Sequence, residues 1–193
     1  MRSLLLLAAV VAISACSPPP PSPSRASGSP TSAARSSTAY DPHSPYIEND
    51  PYSTSIDVKT KAALRDTVEL TQLYALRGRV DRETGRTLAL VQWSAVYTRH
   101  TWHFYFKASN DRGQSYDFRE VNREVRACPN RCVYAETYNI FIPLADLQRG
   151  ATDGIRFKIY ARSGDSVIVE LPASLIVQFN EKLAEAQKMR TKS

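Results

Sequence analysis

From Thr67 onward, apolar and polar residues alternate along most of the chain, the mark of half-buried strands rather than helices. Thr67 to Val80 carries Val68, Leu70, Leu73 and Leu76 and predicts one strand, or a short strand with a turn. Asp81-Arg82-Glu83-Thr84-Gly85 reads as a turn, Arg86 to Tyr97 as a long strand and Thr101 to Ala108 as another. Because side chains alternate across a strand, Trp102, Phe104 and Phe106 share one face and His103, Tyr105 and Lys107 the other. The first set is the expected core.

Asn110-Asp111-Arg112-Gly113 is a turn signal, which predicts a hairpin between Trp102–Lys107 and Tyr116–Val121. The strand approaching Cys128 and the returning Val133–Ile142 predict a second hairpin. Ile155–Ala161 and Ser166–Leu171, around Ser163-Gly164-Asp165, predict a third. Between the last two, Pro143 to Gly150 has proline in front and glycine behind, matching a helical turn. From Ala173 to about Lys188, Leu175, Ile176, Phe179 and Leu183 recur at helical spacing, with Glu181, Glu185 and Lys188 opposite. The expected fold is therefore mainly β: an antiparallel β-sandwich or open barrel with a C-terminal amphipathic helix covering part of the sheet.

The start of the chain has a different pattern. Arg2 is followed by an unbroken apolar run from Leu4 through Ile13, then Ser14 and Ala15 before Cys16. This reads as a signal peptide over residues 1–15. At about ten residues the run is too short to span a bilayer as a helix, which takes roughly 20. Residues 16–45 are rich in proline, serine, alanine and threonine, with almost no large apolar side chain. Such a segment cannot bury enough surface to offset its ordering entropy and is expected to be a disordered tether. Residues 46–193 are expected to form a single globular β-rich domain.

Ile13-Ser14-Ala15-Cys16 resembles the lipobox of bacterial lipoproteins, in which an apolar residue and two small ones precede the modified cysteine. The resemblance implies that Cys16 becomes the mature amino terminus and that its thiol receives a diacylglyceryl group. Two or more acyl chains hold a protein stably on a membrane, so lipid rather than a protein helix would be the anchor. Ser17, a non-aspartate after the cysteine, is similar to the enterobacterial pattern for outer-membrane delivery facing the periplasm. Trp102 to Phe179, including Val125–Cys128, Cys132–Glu136 and Leu171-Pro172, also resembles small exported proteobacterial proteins. That likeness implies no functional residue.

Charge and cysteine usage narrow the chemistry. The chain has 25 Lys+Arg against 19 Asp+Glu, a formal net charge of +6. The signs are mixed, as in Arg79, Asp81, Arg82, Glu83 and Arg86, where a nucleic-acid binder would gather cations on one face; no nucleic-acid partner is expected. With Cys16 assigned to lipid, Cys128 and Cys132 form an even pair spaced C-x3-C, and in an oxidising compartment they predict a structural disulfide at a hairpin tip. A redox pair favours C-x-x-C, and zinc wants four ligands, for which no His or Cys lies at matching spacing.

Of the three histidines, His43 falls in the tether, while His100 and His103 point to opposite faces of a regular strand, so no metal site is expected. No H-E-x-x-H, Walker loop, G-x-S-x-G or Gly-rich dinucleotide turn occurs. Asp117, Glu120, Glu124 and Glu136 are available for acid–base work, but nothing in their spacing arranges them. The expectation is a non-enzymatic partner-binding or structural module of the cell envelope, without cofactor. The alternative is a module for envelope glycan or a small ligand, using some of the ten tyrosines and two tryptophans.

Overall fold

The computed structural model of the protein describes residues 44–67, 69–128 and 130–191. Cys16, the expected signal segment and the expected tether up to residue 43 lie outside the described residues. The folded domain begins slightly earlier than expected: Pro45 is buried and the Ser44 hydroxyl donates to Gln178 Oε1 at 3.4 Å.

Ten strands and two helices follow: β1 (Tyr46–Glu48), β2 (Ser55–Lys59), β3 (Ala63–Asp66), β4 (Leu70–Asp81), β5 (Thr87–Arg99), β6 (Tyr105–Asn110), β7 (Ser115–Ala127), β8 (Cys132–Phe141), α1 (Leu144–Asp153), β9 (Ile155–Ala161), β10 (Ser166–Leu171) and α2 (Ala173–Arg190). All strand pairings are antiparallel, in the order β1-β2-β4-β5-β8-β7-β6-β9-β10, with β3 pairing β4 beside β2. The sheet curls into a half-barrel, so of the two expected architectures the open barrel is the one formed. Across the open side, the exposed Arg65 side chain on β3 reaches far enough for Nη1 to donate to the Ile168 carbonyl on β10 at 3.3 Å.

The alternation that predicts strands also sets the core. On β5, Ala89, Val91, Trp93, Ala95 and Tyr97 point inward and are buried. On β8, Tyr134, Glu136, Tyr138 and Ile140 do the same. The end of the half-barrel near β2 and β4 is filled by α2, through Ile176, Phe179, Leu183 and Ala186. Gly78 permits this approach, because a Cβ there would sit 2.6 Å from Leu183 Cδ2 and 2.9 Å from Phe179 Cζ.

Two expectations are corrected, and the chain before Thr67 adds three short strands, β1 to β3, outside the expected strands; β2 alternates, with Ile56 and Val58 buried. The hairpin between β6 and β7 is only nascent, with pairing confined to Ala108↔Tyr116 and Ser109↔Ser115. And the faces around Trp102 to Lys107 are inverted: His103 and Tyr105 are buried, while Phe104 and Phe106 are 36% and 50% exposed and Trp102 is half-buried. Alternation itself holds from His103 to Phe106, with the opposite set turned inward, and lapses only after Phe106, where the register shifts between Tyr105 and Lys107. Phe104 has φ +54°.

Candidate functional site

The most unusual chemistry of the domain surrounds Glu136. Its place on the inward phase of β8 puts a carboxyl group in the core, fully buried. Burial of such a group requires partners. The hydroxyls of Tyr97 and Tyr138 both donate to it, and so does the backbone N–H of Phe104, at 3.2 Å. Arg123, opposite Glu136 on β7, brings Nε to 3.5 Å from Oε2, an ion-pair contact without hydrogen-bond geometry. Burial together with the bond to Glu136 pushes the Tyr97 hydroxyl well above the ordinary tyrosine pKa, and burial does the same to Tyr138. Both remain donors across the physiological range.

The same network fixes the backbone next to it. Tyr97 Oη accepts the N–H of His103 at 2.8 Å, and the Phe104 carbonyl accepts the N–H of Arg162 at 3.1 Å. Phe104 is thereby held on both sides in the left-handed region, the one non-glycine residue at positive φ among the described residues. A bulky side chain there is disfavoured by roughly 1–2 kcal/mol. Such strain persists where surrounding structure over-determines it, and it clusters at functional sites.

Past Tyr116, β7 and β6 part. β6 follows β9, whereas β7 runs on to Ala127 with β8 as its strand partner. Between the diverging strands lies a cleft of about 410 Å³, walled by Phe104, Phe106 and Phe118 with Tyr138 behind them, and with Arg162 and the ion pair of Arg123 with Glu120 at its margins. Phe118 stacks on Tyr138 at 4.6 Å between ring centres, and the Arg123 guanidinium lies 4.8 Å from the Phe104 ring and 5.6 Å from Trp102. Arg162 is exposed and its side chain forms no hydrogen bond or ion pair among the described residues. The arrangement is an aromatic slot with one unpaired cation, Arg162, and one compensated ion pair at its rim, suited to an amphipathic ligand.

The expected site residues separate into distinct places. Cys128 and Cys132 are disulfide-bonded where β7 turns into β8, the hairpin tip foreseen for them. Asp117, Glu120 and Glu124 are exposed and pair with Arg119, Arg123 and Arg126 on their own strand, while Glu136 alone is internal. His100 is exposed. His103 is buried with Nδ1 at 3.0 Å from Ser163 Oγ and 2.9 Å from Asp165 Oδ2, and Ser163 Oγ also donates to Asp165 at 3.0 Å. That triangle differs from a nucleophile relay, where serine and acid engage opposite ring nitrogens. Burial holds the His103 pKa below the ordinary histidine value, with Asp165 opposing the shift.

Asp146, which sequence reasoning passed over, is buried on α1, accepting from Tyr116 at 2.9 Å and from Arg149. Among the described residues no three His, Cys, Asp or Glu side chains gather as metal ligands, and no helix is long and apolar enough to cross a membrane. No family model matches the chain, and neither a curated protein nor a solved structure does.

Proposed function

We propose that the protein is a lipid-anchored cell-envelope module that works by binding another envelope component rather than by catalysis. In this reading acyl chains on Cys16 hold it at the outer membrane, facing the periplasm, and residues 17–43 let the β-domain stand off the surface. One observation carries the binding role: strained, exposed Phe104 forms a wall of an aromatic cleft, with Phe106 beside it. Folding alone gives no reason to expose two phenylalanines and to tie the backbone of one to a buried acid.

The experiment is photo-crosslinking in intact cells from a reactive residue placed at Phe106, alongside membrane fractionation of wild type and Cys16→Ala. The expected result is a discrete crosslinked species, and loss of the variant from the membrane fraction. A variant that is exported and still sediments with membranes would overturn the anchor. A domain that crosslinks to nothing yet turns over a substrate would overturn the binding role.

The same cleft also supports the alternative reading, an envelope glycan or small-ligand site, since aromatic faces with nearby guanidinium groups suit sugar rings carrying acidic groups. Retention on purified cell-wall sacculi that is lost in Phe106→Ala would favour it.

A further inference from the structure

We infer that the partner enters as an extended peptide that pairs with the open edge of β7 and sets its side chains into the aromatic cleft. The inference rests on the partner-binding reading above and names the partner's form. β7 is one of the two longest strands in the domain, yet β6 pairs with it at two positions only. From Asp117 to Ala127 its second edge meets no strand among the described residues. Along a strand edge, alternate residues present an N–H and a C=O outward, a template that an added strand completes.

The side chains beside this edge suit such an occupant. Phe104, Phe106 and Phe118 provide apolar contacts along the parting strands, and Arg162 supplies an uncompensated cation for an acidic side chain. Val121 and Val125, half exposed on β7 itself, extend the apolar track beyond the cleft. A flexible peptide gains from a preformed slot of this kind, because one side of the interface is already ordered.

The edge is also guarded against a second copy of the same chain. Register shifts between Glu120 and Asn122 and between Val125 and Ala127 bend it, and Arg119, Glu120, Arg123, Glu124 and Arg126 charge it. Bulges and charges are the devices by which proteins keep open edges from pairing with each other. A second copy would bring the same two bulges to the pairing, so the occupant is a different chain, one that can follow the bulged register and meet the charges.

The test selects linear peptides displayed on phage against the full chain in detergent, then synthesises the strongest binder with and without N-methyl groups at alternate backbone positions. Methylation removes strand hydrogen bonds while keeping every side chain. The expected result is binding that weakens about tenfold or more on methylation. Slowed amide exchange should accompany it between Arg119 and Val125. Phe106→Ala and Arg162→Glu, both at exposed positions, should weaken the same peptide while melting like wild type.

Failure to select any linear peptide, equal binding by the methylated form, or protection located away from β7 would each overturn the inference. So would a cleft filled instead by soluble cell-wall oligosaccharide. A partner crosslinked in cells through another face of the domain would also overturn it, while leaving the tethered binding role standing.

Discussion

The backbone N–H of Phe104 donates to the buried carboxyl of Glu136 at 3.2 Å, joining a left-handed residue at the surface to the centre of the half-barrel. Glu136→Ala would leave two tyrosine hydroxyls and this N–H without their acceptor and Arg123 without its inner partner. The expected cost is about 3–5 kcal/mol in urea unfolding. A loss below about 1 kcal/mol would show that the cluster does not hold the fold.

Removing Phe104 itself should have the opposite character. Phe104→Gly relieves the left-handed conformation while giving up a half-exposed ring, so stability should stay within about 1 kcal/mol of wild type. Phe179→Ala, at a fully buried ring on the sheet-facing side of α2, should cost about 3–5 kcal/mol in the same measurement. The contrast separates an aromatic kept for contact from one kept for packing.

His103 gives a pH dependence of defined sign. Its folded-state pKa is depressed by burial below the ordinary 6.5. As pH falls through 6.5 the unfolded chain takes a proton that the folded one does not, so stability is full above that pH and is lost toward the lower folded value. Urea midpoints between pH 8 and pH 5 should show this loss in wild type, and His103→Gln should flatten it. An unchanged slope in the variant would assign the loss to other groups.

The disulfide between Cys128 and Cys132 closes a five-residue ring, and a ring that small adds only about 2 kcal/mol by the chain-entropy relation. Cys128→Ser with Cys132→Ser should therefore fold, with a urea midpoint lowered by that amount. Reductant should shift wild type equally and leave the double variant alone. A shift with reductant in the double variant would break this account.

Gly154, between α1 and β9, has φ +80°, and a Cβ there would lie 2.6 Å from the Leu171 carbonyl oxygen. Backbone cannot yield as a flexible side chain can. Gly154→Ala should cost about 2 kcal/mol or more by chemical denaturation. A neutral result would mean that the junction of α1 and β9 relaxes freely.

The strands after Thr67, the closing helix and the cysteine hairpin were legible because each has a local cause: alternation, helical spacing of Ile176, Phe179 and Leu183, or paired thiols. The cleft was not legible, because it comes from the point at which β6 leaves β7 for β9, a choice made by strands far apart in sequence. The aromatic run showed the limit most directly. Alternation correctly separated Trp102, Phe104 and Phe106 from His103 and Tyr105, but hydrophobicity alone assigned the wrong set to the core. The winning set carries groups bound into the cluster around Glu136: the His103 N–H reaches Tyr97, and Tyr105 packs edge-on against Trp93 at 4.8 Å. One signal was available, since an acid at the inward phase between Tyr134 and Tyr138 demands donors nearby.

The contact from Arg65 to Ile168 spans 103 positions of sequence, and it cannot form until both strands have been made and placed. The hairpins of β4 with β5 and β7 with β8 require only local search. That contact waits on the last strand, so loop-closure entropy is spent late. Topologies dominated by such distant pairings acquire their native form over milliseconds to seconds rather than microseconds. During that interval β3 and β10 have both been synthesised but have not yet met across the open side of the half-barrel.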